Sequence, residues 1–222
     1  MKKRSPVLGA ITAVLLLAFT YIAFVWVPED AVQGVVQRIF YPHVASAWVA
    51  GLAFLVVFIC SISVLATKDL KFDEIAAASA QVGLMFTSGT LVMGMMWGKA
   101  IWGTYWSWEP RLTSVMVLWL LYLAYVALRA YVTEPWRRAR FSAVLGIVAF
   151  LDVPIIYFSV RWWRTLHPAA VIGGDSDSGL PPEMLFTMLF GVFTFTFFYI
   201  YLAQLKLRAN RLEQHFYNEV QS

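Results

Sequence analysis

Six apolar runs, each long enough to cross a bilayer, fix what this chain can become: Val7 to Val27, Val44 to Ala66, Ile75 to Met96, Leu112 to Leu128, Phe141 to Val160 and Met184 to Leu205. A spanning helix needs about 20 apolar residues, so a chain of 222 residues carrying six such runs has only short connections left. In lipid each backbone N–H and C=O must be satisfied within its own segment, which makes such runs helices. The expectation is an all-α integral membrane protein of six transmembrane helices, a single membrane domain over residues 1–222. A charged fraction of 14% is too small to coat a water-soluble globule of this length. The first run follows Lys2, Lys3 and Arg4 as a signal peptide's would, but it is too long and no small-residue cleavage site follows it.

The spans set the topology. With the N-terminus in the cytoplasm, Lys2, Lys3, Arg4, Lys68, Lys71, Arg129, Arg137, Arg138, Arg140, Lys206, Arg208 and Arg211 fall inside, twelve of the 17 basic residues. Arg38, Lys99, Arg111, Arg161 and Arg164 fall outside. This positive-inside bias predicts that both termini are cytoplasmic. The net charge of +4 therefore reports topology, and no nucleic-acid partner is expected. Cys60 is the one cysteine, which excludes an internal disulfide, a CxxC redox pair and a CxxCH haem attachment. The nearest approach to a phosphate-binding loop, Gly94 to Ala100, fails in spacing and final residue, so any ATP would be bound by another subunit. The inner connections, Thr67 to Glu74 and Thr133 to Arg140, are short and charged. The outer ones, Pro28 to Pro42, Trp97 to Arg111 and Arg161 to Glu183, are longer and aromatic, and the last includes the turn-rich GGDSDSGLPP.

Of 10 tryptophans, eight gather at the outer ends of spans: Trp26, Trp48, Trp97, Trp102, Trp106, Trp108, Trp162 and Trp163. An interfacial aromatic belt decorates both faces of a membrane, and here only Trp136 stands on the inner side. WGKAIWGTYWSWEPRLTS, Trp97 to Ser114, is too polar and Gly-broken for a span, and is expected to lie along the interface. If it is helical, Trp102 and Trp106 share a face, and Pro110 suits the first turn of the next helix. The residues alone admit two readings, a lopsided belt and a platform for a flat aromatic ligand.

His43, in FYPHVASAW, and His167, in RWWRTLHP, are expected in the first and third outer loops, with no histidine inside a span and His215 solvated in the cytoplasmic tail. A lone interfacial histidine is more often an ordinary polar residue than a ligand. Two of them on the face that holds eight tryptophans point to haem, whose ring wants apolar walls and whose iron takes axial nitrogens. Lys99, Arg111, Arg161 and Arg164 are then candidate partners for propionates, or else snorkelling anchors. The placement argues for haem docked at the outer surface, not for an electron wire through the bilayer.

These segments resemble a known family, haem exporter protein C (CcmC) of the cytochrome c maturation system. Trp97 to Ser114 is similar to the tryptophan-rich WWD motif of haem-handling proteins, and Phe40 to Trp48 and Pro154 to Pro168 to its flanking histidine segments. The resemblance covers nearly the whole chain. It implies that His43 and His167 are axial ligands of a non-covalent, transiently held haem b. It further implies that Trp97, Trp102, Trp106, Trp108, Glu109, Arg111 and Leu112 form the haem platform, with Trp162 and Trp163 beside His167. The implied role is delivery, not catalysis: haem is held at the periplasmic face of the bacterial inner membrane and passed to a CcmE-type chaperone. CcmA- and CcmB-type ABC transporter subunits and a single-span CcmD-type protein assist. The family usually has Asp where this chain has Glu109, often Trp at Tyr105, and commonly Asn near Asp152.

Three rival readings remain open: a synthase-type subunit that attaches haem directly to apocytochrome c, a membrane b-type cytochrome oxidoreductase, and a small-molecule carrier with an interfacial aromatic site. Asp152, two residues before Pro154, reads as an interhelical polar contact around a kink in preference to a proton site, because no proton chain accompanies it. Gly83, Gly89 and Gly94, with Ser79 and Ser88, read as helix-packing positions.

Overall fold

The computed structural model describes residues 6–163, 165–167 and 179–221, and these are helical with no strand among them. Helices α1 (Pro6–Tyr21), α2 (Phe40–Thr67), α3 (Leu70–Trp102), α4 (Pro110–Tyr131), α5 (Pro135–Phe150), α6 (Asp152–Trp162) and α7 (Pro182–Gln221) follow in order. They supply six stretches long and apolar enough to cross a membrane, α5 and α6 together making one of these. All six expected spans are present. Lys2, Lys3, Arg4, Arg164 and most of the 173–182 stretch lie outside the described residues.

Several helices run beyond their apolar runs, because a helix stops where its backbone is turned, not where hydropathy falls. The third expected span ended at Met96, yet α3 continues to Trp102, where Gly103 takes a left-handed φ of 75° and Lys99 Nζ donates to its carbonyl at 2.9 Å. Pro110 opens α4 as expected. At the opposite end of the bundle the connections are tight. Asp69 caps α3 by accepting from Lys71 N at 2.9 Å, and Glu134 caps α5 by accepting from Trp136 N at 2.8 Å.

Lipid offers no hydrophobic drive between helices, so association rests on close packing and polar contacts. Helix α2 is central, packing on α3, α5 and α7. A Cβ on Gly83 would lie 2.9 Å from Ala53 Cβ, so only glycine lets α3 approach α2 so closely. Ser79 Oγ donates to Ala53 O at 2.8 Å, Ser88 Oγ accepts from Trp119 Nε1 at 2.9 Å, and Phe54 stacks on Tyr122 at 3.6 Å. Near the far end, Arg129 pairs with Asp73 through two bonds of 2.5 and 2.8 Å, both side chains almost fully buried. Breaking such a pair from one side costs about 3–5 kcal/mol.

The expected polar contact at Asp152 is not made among the described residues. The break between α5 and α6 falls at Leu151, as Pro154 requires, but Asp152 Oδ2 is buried without a hydrogen-bond partner.

Candidate functional site

At the Trp-rich end, a cluster of Phe19, Ala23, Val27, Phe40, Tyr41, Trp97, Met184 and Met188 joins α1, α2, α3 and α7 into a floor. The connection from α1 to α2 is folded onto it by its own polar groups. Asp30 Oδ1 accepts from Val32 N and Gln33 N at 2.9 and 2.7 Å, and Gly34 closes the turn at φ 58°. Arg38 donates to Phe24 O at 2.6 Å, satisfying a carbonyl in the π-helical turn Ile22–Trp26 that ends the first span. Gln33 Oε1 then accepts from Trp97 Nε1 at 3.0 Å.

Trp97, only 8% exposed, packs edge-on against Phe40 and against the His43 ring at centroid distances of 5.7 and 5.9 Å. His43 is not in a loop as expected. It lies in the first turn of α2, because helix formation begins at Phe40 ahead of the apolar run. Its Nδ1 lies 3.1 Å from Thr90 O, and a carbonyl can only accept, so Nδ1 carries the proton. Gly94, one turn along α3, leaves the space for this ring: a Cβ there would sit 3.1 Å from His43 Cε1.

His167 is positioned differently. Its Nδ1 donates to Glu109 Oε1 at 3.0 Å, and its ring tilts against Trp102 at 5.6 Å. Glu109 Oε2 accepts from Thr165 Oγ1 and from Leu166 N, the latter at 2.7 Å, while Thr165 Oγ1 receives His167 N at 3.1 Å. Burial alone would raise the Glu109 carboxyl, but its donors Thr165, His167 and Leu166 N–H outweigh burial and hold it below the usual carboxylate range. Burial, and then the Arg111 guanidinium, depress His167 and outweigh the Glu109 bond. The pair is therefore a neutral imidazole donating to a carboxylate.

The two imidazoles are within electrostatic reach of each other, and Arg111 acts on both. Nδ1 carries the proton in each ring, and neither Nε2 makes a hydrogen bond among the described residues, so both Nε2 atoms present a lone pair. No three His, Cys, Asp or Glu side chains gather in a metal-holding group among the described residues.

The other expected site residues divide. The Trp segment does not lie as one helix along the interface: its first part is the end of α3, so Trp102 closes that helix and Trp106 lies beyond Gly103, off any shared helical face. Trp106 packs edge-on to Trp108 at 5.6 Å, with Trp106 Nε1 buried and unbonded and Trp108 75% exposed. Leu112 lies in the first turn of α4. Trp162 stacks on Phe158 at 5.3 Å and meets Trp163 edge-on, and neither touches a histidine ring. Lys99 lies over Tyr105 at 5.4 Å, and Arg161 over Tyr157 at 5.9 Å. Thr90, Gly94, Gln33 and Thr165 were not anticipated. Thr90 acts through its main chain, which no side chain announces, whereas Gly94, expected as a helix-packing position, packs α3 against the His43 ring of α2.

The fold and this site define a class: a six-span membrane protein whose Trp-rich end carries two histidines, each with Nδ1 turned to an acceptor. The model of the family Heme exporter protein C matches residues 1–221, and the chain belongs to that family. It is 39% identical over 197 residues to Heme exporter protein C of Bradyrhizobium diazoefficiens, covering 89% of this chain and 74% of that one. It is 33% identical to Heme exporter protein C of Haemophilus influenzae, covering 96% of this chain and 86% of that one. A putative cytochrome c biosynthesis ccmC-like mitochondrial protein of Marchantia polymorpha is 38% identical, covering 67% of this chain and 63% of that one.

Proposed function

We propose that this protein handles haem in cytochrome c biogenesis, holding it at the outer face of a bacterial inner membrane for delivery to a CcmE-type periplasmic chaperone. The observation that carries the reading is the matched tautomer: His43 and His167 each commit Nδ1 to an acceptor and leave Nε2 to bind iron. Two nitrogen donors with no third metal-binding side chain grouped beside them among the described residues would suit the iron of a haem, which needs few ligands from the protein. His43 and His167 would hold such an iron through Nε2, and the iron would act only as the acceptor of those two lone pairs.

The remaining residues fit the rest of the molecule. Trp97 and Trp102 flank the two imidazoles and wall the ring. Trp106, Trp108, Leu112, Trp162 and Trp163 would add apolar and aromatic surface at the same end of the bundle. The buried, unbonded Trp106 Nε1 is a donor of the kind a propionate would satisfy. Arg111, whose charge bears on both histidines, would supply cationic charge for a propionate. Residues 1–222 act as one membrane domain with both termini cytoplasmic, and the role is delivery, so no residue is assigned to bond making. CcmA-, CcmB- and CcmD-type subunits complete the assembly.

The test is an absorption spectrum of the detergent-purified protein co-expressed with its chaperone, for the native sequence and for His43→Ala and His167→Ala. The native protein is expected to carry low-spin haem and each variant to lose that signature. Unchanged haem in both variants would rule the ligation out. Well-folded protein without haem in any sample would favour a carrier.

A further inference from the structure

Glu109 occupies the N-cap position of α4, where an acidic side chain ordinarily accepts from the exposed N–H groups of the first turn. It makes no such bond. Its side chain, only 7% exposed, crosses to the segment after α6 and takes three donors there: Thr165 Oγ1, Leu166 N and His167 Nδ1. One carboxylate thus fastens both the His167 ring and the backbone that carries it, and Thr165 adds a bond to His167 N at 3.1 Å.

We infer that Glu109 is a positioning residue that clasps the His167 segment to the start of α4, fixing the ring in its Nε2-ligating tautomer, and that opening this clasp frees His167 from iron. The inference rests on the haem-binding reading above and gives Glu109 a role through His167. Among the described residues no side chain holds His43 in this way, and its acceptor is a main-chain carbonyl inside α3. The ligand set is therefore asymmetric: His43 is fixed by the helix, and His167 is held by a latch that a single side chain can open. A protein that must grip its cargo and then surrender it is served by one ligand of each kind.

The experiment compares native protein, Glu109→Gln, Glu109→Asp, Thr165→Val and His167→Ala, each as the full chain in detergent. Two readouts are taken: haem affinity with the low-spin absorption signature, and hydrogen exchange of the Leu166 N–H in haem-free protein. Glu109→Gln keeps the size of the side chain but offers one accepting oxygen in place of two. It is expected to lower haem affinity about 10–100-fold, the usual cost of removing such a partner from a ligating histidine, and to reduce Leu166 protection, since a neutral amide oxygen accepts more weakly than a carboxylate. Glu109→Asp is expected to recover more than half of both signals, since the carboxylate is retained and the segment can close the shorter reach. Thr165→Val, which removes one donor, is expected to weaken both signals less than Glu109→Gln does, and it carries the test if Glu109→Gln fails to accumulate. A Glu109→Gln protein with native affinity, native spectrum and native Leu166 exchange overturns the inference, as does an Asp variant as damaged as the Gln variant. Loss of low-spin haem in His167→Ala beside a native-like Glu109→Gln would sink the clasp and leave the function standing. Unchanged haem in His167→Ala would sink the function, while Leu166 exchange would still read the clasp.

Discussion

The His43 half of the site and the His167 half reach the same chemical state by opposite means. His43 sits on a helix, has its ring against Trp97 and donates to a carbonyl of the neighbouring helix, so its orientation is built into the α2–α3 packing. His167 sits after the end of α6, has its ring against Trp102 and donates to a side chain 58 residues away in sequence. The first arrangement changes only if two packed helices part. The second needs only the carboxylate of Glu109 to let go. Matched tautomers therefore do not mean matched stiffness.

The largest expected effect separates the halves outright. His43→Gly and His167→Gly both lose low-spin haem, but added imidazole is expected to restore the spectrum only in His43→Gly. The slot there survives the substitution, walled by Trp97 and Gly94 with Thr90 O still in place as acceptor. At position 167 the segment loses its ring anchor and is left with the Thr165 and Leu166 bonds to Glu109 alone, so the slot is expected to be too loose to hold added imidazole. Titration with imidazole, followed by absorption, measures this, and equal rescue of both variants would erase the distinction.

A middle-sized effect comes from Gly94→Ala. The exchange favours α3 by about 1 kcal/mol of helix propensity, yet the new methyl would lie 3.1 Å from His43 Cε1 and push the ring away from Thr90 O. Thermal stability is expected to hold or rise while haem affinity falls about tenfold, or about 1.4 kcal/mol. A fall in both quantities would mean that the ring has no room to give and that the helices part instead.

This glycine also marks how far the sequence could be read. The six spans were legible because apolar runs of that length have no other solution in a membrane. The histidines and Trp97 were legible because rare residue types gathered at one end. The helix ends were not, because Phe40 to His43 and Trp97 to Trp102 are helical without being uniformly apolar. Nor were the groups that orient the imidazoles: Thr90 contributes a carbonyl, Gly94 an absence of side chain, and Glu109 a reach across to a segment far along the chain. Each of these is a property of two elements placed together, and no one element's pattern contains it.

The smallest effect sharpens the comparison most, because it enters from the first connection and is expected to stop at one half. Gln33→Ala removes the acceptor of Trp97 Nε1, a bond of 3.0 Å at a buried ring. Leaving that donor unpaired costs about 1–3 kcal/mol, and Gln33→Glu, which keeps an acceptor, should cost less. The loss is expected in the melting temperature and, through Trp97, in haem retained on the His43 side. Leu166 N–H exchange should not change, because the path from Gln33 runs through Trp97 to His43, whereas Leu166 is held by Glu109. If Gln33→Ala also unprotects Leu166, the two halves form one cooperative unit, and the helix-held ligand and the latched one release together.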